Sequence, residues 1–190
     1  MTRSPSPTRR AFLAGGALAL ATPQLLRAQT VEDPPPAPVR HNVSGFAAQD
    51  WRDHFDTLGK GAIVCDTTSR ALHYWSADES DYRIYPTSVP RSDELTKRGY
   101  TEIVRKKVGP DWTPTASQVE RFGWTYMPPG PDNPLGTHAM YLSWPAYLIH
   151  GTHDTRKIGR QSSDGCIGLL NASREELFRL TPTGTPVPVT

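Results

Sequence analysis

The segment that decides the fold reads His150-Gly151-Thr152-His153, then Ile158-Gly159-Arg160, then Ser163-Asp164-Gly165-Cys166-Ile167-Gly168-Leu169-Leu170-Asn171. It combines a histidine and a cysteine with glycines that permit tight turns. A cysteine attacks carbonyl carbons as its thiolate, and near neutral pH it needs an imidazole that accepts its proton or pairs with it. We therefore predict that Cys166 is a nucleophile and that His150 is its general base and later proton donor.

The local backbone favours the same chemistry. His150 ends an apolar strand just before Gly151, where carbonyls of the turn would orient one nitrogen of the imidazole, so that no acidic third residue is required. Gly165 lets the chain turn tightly before Cys166. The backbone N–H groups of Gly165 and Cys166 would then face the oxyanion of a tetrahedral intermediate.

The rest of the sequence is typical of a mainly β domain. A short helix is expected within residues 91–105, in a proline-rich stretch that otherwise favours long loops. A second helix is predicted over residues 172–180, where Ser173 and Glu176 have the spacing of a capping box. Apolar residues alternate or cluster in six segments, which predicts strands at residues 61–65, 71–75, 82–85, 139–144, 146–150 and 185–189.

The decisive segment resembles the signature of the L,D-transpeptidase family, the YkuD domain. That signature is histidine-glycine-threonine, a spacer, then serine-histidine-glycine-cysteine, an apolar residue, arginine and a later asparagine. The likeness extends over roughly residues 61–189 and includes Ile84-Tyr85-Pro86, Trp112-Thr113-Pro114-Thr115, Asn133-Pro134-Leu135-Gly136 and Gly184-Thr185-Pro186-Val187. It implies a YkuD-like β-sandwich or mixed sheets with one or two short helices.

The resemblance also implies a reaction. Peptidoglycan stem peptides would serve as donor and acceptor, and Cys166 would attack the L,D peptide bond after the third residue of the donor, releasing the terminal D-alanine. An amine of a second stem, deprotonated by His150, would then resolve the thioester. No metal or organic cofactor is implied, and a zinc site built from His150, His153 and Cys166 would lack a fourth ligand at motif spacing.

Supporting roles follow from the same resemblance. Thr152 and Ser163 match positions that line the site beside Gly151, and Asn171 matches the asparagine that ends the motif. Arg160 is either a solvated loop charge or a ligand for stem carboxylates, for which a planar guanidinium is suited. Three aromatic residues near His150 either fill the core or contact substrate: Tyr141, Trp144 and Tyr147.

Two positions depart from the family pattern, because Asp164 replaces the usual histidine and Gly168 the usual arginine. A carboxylate two residues from Cys166 raises the pKa of the thiol unless a cation offsets it. Asp164 would either pair with such a cation or face the cationic acceptor amine. The candidate cations in the intervening loop are Arg156, Lys157 and Arg160.

The beginning of the chain is typical of an export signal. Arg3 and the pair in Thr8-Arg9-Arg10-Ala11-Phe12-Leu13 precede an apolar run over residues 11–21, and the paired arginines resemble the twin-arginine consensus. That run is too short to span a bilayer. We expect a signal peptide over residues 1–28 that engages export machinery, a proline-rich linker over residues 29–48, and a catalytic domain over residues 49–190 in the periplasm.

Charge excludes two classes of partner. Residues 1–28 hold four of the 21 Lys and Arg residues and none of the 19 Asp and Glu residues, so their removal leaves 17 positive against 19 negative charges. A nearly neutral domain without a basic stripe has no electrostatic footprint for nucleic acid or anionic lipid. The two cysteines are expected to be free thiols, with Cys65 buried in a strand.

Two other functions remain open from the sequence. Water could resolve the thioester, which would make the protein an L,D-carboxypeptidase or endopeptidase, and Asp164 would favour this by ordering that water. The altered motif could instead belong to a peptidoglycan-binding module without turnover, although the intact His150 and Cys166 argue against it.

Overall fold

The computed structural model describes residues 46–190, which form a mainly β domain with two α-helices. The helices are α1, Ala116–Phe122, and α2, Asn171–Leu180, and single 3-10 turns lie at Trp51–Asp53, Asp93–Leu95 and Thr155–Lys157. The strands are β1 Ala62–Asp66, β2 Ala71–Trp75, β3 Tyr82–Pro86, β4 Val89–Pro90, β5 Gly99–Val108, β6 His138–Leu142, β7 Leu148–Thr152, β8 Gln161–Ser163, β9 Ile167–Leu170 and β10 Pro186–Val189.

Eight strands form one mixed sheet in the order β3-β2-β1-β10-β5-β6-β7-β9, and β4 pairs with β8 in a small second sheet. The long strand β5 joins the two halves of the large sheet. Its first residues pair with β10, and after Ile103 it pairs with β6 across a register shift. Such a shift bends a strand, so one sheet can wrap around a core.

The strands predicted from alternation are confirmed, including the β1–β2 hairpin. The short helix expected within residues 91–105 forms only as a single 3-10 turn. That stretch forms only the 3-10 turn Asp93–Leu95 and then most of β5. In the first half of β5, exposed side chains alternate with the buried Thr101 and Ile103, which is the two-residue period of a strand. Both edges of β5 are hydrogen-bonded to neighbouring strands.

The C-terminal helix is confirmed, but its expected capping box is wrong. Helix α2 begins at Asn171, and its N-cap residue, Leu170, contributes no side-chain bond. Glu176 instead accepts hydrogen bonds from Tyr85 and Arg83. A capping box does occur in α1, where the Thr115 hydroxyl accepts from the Gln118 backbone and the Gln118 side chain accepts from the Thr115 backbone.

The main core lies between α2 and the sheet. Helix α2 packs on one face of β6, β7 and β9, and Leu177 is fully buried there with Met140, Ile149 and Leu169. This packing fixes β7 and β9, which carry the His150 and Cys166 ends of the decisive sequence segment. No helix within residues 46–190 is long and apolar enough to cross a membrane. The predicted signal peptide and nearly all of the predicted linker lie outside the described residues.

Candidate active site

Cys166 lies at the end of a tight turn between β8 and β9. The Ser163 hydroxyl closes this turn by donating to the Cys166 carbonyl at 2.6 Å, and it accepts a long hydrogen bond of 3.4 Å from the Gly165 amide. Gly165 has a φ of +136°, which side chains disfavour. A Cβ at this position would lie 3.7 Å from the Leu95 carbonyl oxygen and the Tyr147 ring. The turn therefore requires glycine and presents Cys166 at the start of β9.

Strand β9 is held on both edges. It pairs in parallel with β7, with Ile149 opposite Ile167 and His150 opposite Gly168. On the other edge, Gly168 exchanges two backbone hydrogen bonds with Ser88, at 2.8 and 3.0 Å. Residues two apart in a strand point to the same face, so His150 and Cys166 lie on one face of neighbouring strands.

The His150 ring is oriented by the backbone. Its Nδ1 bonds to the carbonyl of Gly151, and since a carbonyl only accepts, Nδ1 carries the proton and Nε2 keeps its lone pair. The pKa of His150 is lowered to about 4, chiefly by burial and to a smaller extent by the positive charges of Arg174 and Lys157, against the raising effect of the Gly151 bond. At neutral pH the imidazole is therefore an uncharged base.

The Cys166 thiol is half-buried, and its Sγ lies 3.6 Å from the carbonyl oxygen of Ala146. Burial raises the pKa of Cys166 to about 11, the N–H of Leu148 lowers it, and the Asp164 carboxylate raises it. The resting pair is thus a neutral thiol and a neutral imidazole. Such a pair suits proton transfer during attack better than a preformed ion pair.

The counter-ion of Asp164 is Arg91, which none of the sequence candidates included. Their side chains form an ion pair and are 35% and 18% exposed for Arg91 and Asp164, so the pair is largely shielded from water. Arg156 binds Asp154 instead, and Lys157 and Arg160 are exposed without an ion pair among residues 46–190. The expectation that the intervening loop supplies the cation is therefore wrong. Arg91 directly follows β4, and its backbone amide donates to the Ser163 carbonyl at 3.0 Å, which holds Arg91 beside the turn that carries Asp164.

Other expected site residues support the backbone. The buried Thr152 hydroxyl accepts from the Asp154 amide at 3.1 Å and so fixes the loop after β7. The Asn171 amide packs over Gly151 and Gly136, where added Cβ atoms would lie 2.1 and 2.2 Å from its Oδ1. These contacts explain both glycines, and they place Asn171 behind His150 as a packing residue.

The three aromatic residues separate into two environments. The Tyr147 hydroxyl donates to the Leu95 carbonyl at 3.0 Å, and its ring flanks the Gly165 turn beside Trp144. Tyr141 instead lies under the guanidinium of Arg105. Within residues 46–190, no group of three or more His, Cys, Asp or Glu side chains is placed to hold a metal ion.

The sequence profile of the L,D-transpeptidase catalytic domain, YkuD, matches residues 60–189 of this chain. The chain belongs to the L,D-transpeptidase (YkuD) family. A putative L,D-transpeptidase of Fuscovulum blasticum, in the ATP synthase subunits region (ORF 5), is 65% identical over 95% of this chain and 96% of its own length. The probable L,D-transpeptidase ErfK/SrfK of Escherichia coli K12 is 34% identical over 70% of this chain, but the match spans only 45% of that relative.

Solved structures share the fold. An L,D-transpeptidase from Mycobacterium smegmatis has a TM-score of 0.56 over 69% of this chain and 58% of its own, at 16% identity. L,D-transpeptidase 3 from Mycobacterium tuberculosis has a TM-score of 0.56 over 69% of this chain and 61% of its own, at 15% identity. The predicted fold class, mainly β with two helices, is confirmed for this L,D-transpeptidase family member.

The structure explains one departure of this L,D-transpeptidase family member from the family pattern. A Cβ at Gly168 would lie 2.3 Å from the Ser88 Oγ and 3.7 Å from the His150 Cε1. The buried Ser88 hydroxyl thus occupies the space that a side chain at position 168 needs. Ser88 and Arg91 carry no motif signal, and only the fold brings them to Gly168 and Asp164, two residues either side of Cys166.

Proposed function

We propose that this protein is a peptidoglycan L,D-transpeptidase that carries the acyl group of a stem peptide as a thioester on Cys166. The observation that supports this most strongly is the pairing of β7 with β9. It places the oriented, uncharged His150 and the Cys166 thiol on one face, at a turn that glycine alone fits. A neutral base beside a thiol is one of the arrangements that activate a cysteine for covalent acyl transfer.

In the first half-reaction, His150 Nε2 takes the thiol proton as Sγ attacks the carbonyl carbon of the third stem residue. The oxyanion is stabilised by the N–H groups of Gly165 and Cys166, and the 3.4 Å bond from Gly165 to Ser163 is long enough to be exchanged for it. The amide C–N bond then breaks, and the imidazolium returns its proton to the departing D-alanine amine.

In the second half-reaction, an amine attacks the thioester and His150 accepts the proton that the amine loses. The products are a new amide bond, which cross-links two stems or attaches another amine, and the free thiol. Neither half-reaction needs a redox partner.

We further propose that the chain is exported to the periplasm by the twin-arginine route. Lysines in place of Arg9 and Arg10 should then retain it in the cytoplasm on cell fractionation.

The hydrolytic alternative loses its main support in this geometry. The Asp164 carboxylate, which would have to order the attacking water, is already engaged by Arg91 and is only 18% exposed, so less of it is available to water. A binding module without turnover would have no use for a base whose ring is fixed by the Gly151 carbonyl. Transfer to an amine is therefore the function that we favour.

The test is product analysis. Disaccharide-tetrapeptide muropeptides are incubated with the protein, with Cys166→Ala and with Cys65→Ala, and the products are identified by mass spectrometry. Dimers that lack one D-alanine should form with the unchanged protein and with Cys65→Ala, and not with Cys166→Ala. Tripeptide monomer without dimer would replace the proposal with hydrolysis, and unchanged substrate would overturn it.

A further inference from the structure

Arg174, on α2, is a fully buried cation that the proposed reaction does not use. Its exposure is 0%, and its Nε donates to the carbonyl oxygen of Ile149 at 3.1 Å. Neither Nη1 nor Nη2 has a hydrogen-bond acceptor among residues 46–190. The guanidinium carbon lies 5.2 Å from the centre of the Phe178 ring. Burial lowers the pKa of Arg174 to about 9, so the side chain remains charged at neutral pH.

A buried charge without a carboxylate partner is costly, and a hydrophobic residue of similar volume is often the more stable choice. The two carboxylates that follow Arg174 on α2 have other partners. Glu175 accepts from the Thr137 hydroxyl, and Glu176 accepts from Tyr85 and Arg83. Stability therefore gives no reason for an arginine here, and strongly perturbed ionisable groups are concentrated at functional sites.

The position of Arg174 suggests its use. Helix α2 covers one face of the sheet. A Cβ added to Gly151 would point to that face, where it would meet Asn171 of α2. Ile149 and Gly151 share that face, so His150 between them points to the opposite face, towards Gly168 and Cys166. The guanidinium thus binds the residue immediately before His150, from behind the strand that carries it.

The charges around His150 come from few elements. On β6, Ala139 lies opposite His150, and the next ionisable residue along that strand is His138. On β9, Gly168 lies opposite His150, and the next ionisable residue is Cys166. Two cations act on His150: Lys157, on the 3-10 turn after β7, and Arg174, on α2. Both oppose protonation of His150. Lys157 is exposed and screened by solvent, whereas the charge of Arg174 acts through the protein interior.

We propose that Arg174 is a positioning residue for the reaction, which fixes β7 behind His150 through the Ile149 carbonyl and whose buried positive charge adds to the effect of burial in opposing protonation of His150. This inference rests on the proposed function, because it assigns a purpose to the base of that reaction. It concerns His150 itself, however, and is measured without peptidoglycan.

The test follows the imidazole directly in the full chain. Histidine ring resonances are titrated by NMR, with the His150 signal assigned by its loss in His150→Gln, and Tm is recorded for every variant. In Arg174→Met, which keeps the volume and removes the charge, the His150 midpoint should rise by about one pH unit. In Arg174→Lys, which keeps the charge, it should stay within about 0.3 units of the unchanged protein.

The matched control is Lys106→Met. Lys106 is a second partly buried cation against α2, and its Nζ donates to the Phe178 and Thr181 carbonyls rather than to a carbonyl of β7. Its removal should leave the His150 midpoint unchanged. If Arg174→Met does not fold, Arg174→Gln takes its place with the same expectation.

Three results would overturn the inference: an unmoved His150 midpoint in a folded, uncharged variant at position 174, an equal shift in Lys106→Met, or an Arg174→Lys midpoint as high as that of Arg174→Met. Failure of the proposed function is distinguishable from these. It would appear as a lack of muropeptide products while the His150 midpoint still responds to Arg174.

Discussion

His150 and Cys166 are both uncharged at neutral pH, because burial lowers the pKa of the imidazole to about 4 and raises that of the thiol to about 11. The thiol proton must therefore move as the carbonyl carbon is attacked. The rate then depends on His150 being neutral and Cys166 being protonated, a condition that holds between the two pKa values.

This condition predicts the pH profile. Acylation of Cys166 by a carbapenem, followed by intact-protein mass spectrometry, should proceed at a constant rate from about pH 5.5 to about pH 9.5. The rate should fall on acidification only as the pH approaches about 4, where His150 becomes protonated. A half-maximal rate near pH 6.5, the value of an ordinary imidazole, would contradict the assignment of a half-buried base with a lowered pKa.

The Arg91–Asp164 pair sets the charge beside the nucleophile. Without Arg91, the Asp164 carboxylate would raise the pKa of Cys166 more strongly, so Arg91→Ala should slow alkylation by iodoacetamide at pH 7 by about 3- to 10-fold. Asp164→Asn should accelerate alkylation, and the double variant should lie near the unchanged protein. Arg156→Ala is the matched control, since Arg156 pairs with Asp154. Equal slowing in that control would remove the special role of Arg91.

At this scale, the sequence identifies candidates through local spacing. Cys166, His150 and the turn glycines lie in one short segment, so their chemistry can be inferred from residue types alone. Arg91 and Ser88 lie far upstream, and nothing near them in sequence marks them. Their contacts depend on β4 pairing with β8 and on the bridge between Ser88 and Gly168, which are long-range features.

Strand β9 is the element that positions the nucleophile, and the bridge to Ser88 secures its outer edge. A methyl group at position 168 would meet the Ser88 Oγ, so Gly168→Ala should lower the free energy of unfolding by about 1–3 kcal/mol. It should also slow acylation of Cys166. Ser88→Gly should restore most of both properties in the double variant, as urea unfolding and acylation rates would reveal. No rescue would mean that another contact excludes side chains at position 168.

The elements differ in how well the sequence reveals them. Strands β1, β2 and β7 combine apolar side chains with flanking turn residues, and their pattern suffices. Strand β5 carries five ionisable side chains, Tyr100, Glu102, Arg105, Lys106 and Lys107, which mask its alternation. The start of α2 is equally hidden, because Leu170 caps it without a side-chain bond and packing alone fixes its first residue.

The match to the family begins at residue 60, but residues before it belong to the folded domain. Leu58 is buried with Ala62, Val64 and Trp75, and Trp51 and Phe55 pack against this second core cluster. A protein that begins at residue 60 should therefore unfold with about 3 kcal/mol less free energy, or about 10 °C lower in Tm, than one that begins at residue 46. Differential scanning calorimetry would measure this, and equal Tm values would show that the cluster contributes no stability.

The proposed reaction passes through a thioester between Cys166 and the donor stem, and this intermediate can be trapped. The protein is mixed with a tetrapeptide donor in the absence of an acceptor amine, quenched in acid and weighed intact. We expect a mass gain equal to the donor minus D-alanine, present in Cys65→Ala, absent in Cys166→Ala and released by hydroxylamine. Release of D-alanine without any adduct, or an adduct that persists in Cys166→Ala, would show that Cys166 does not carry the acyl group.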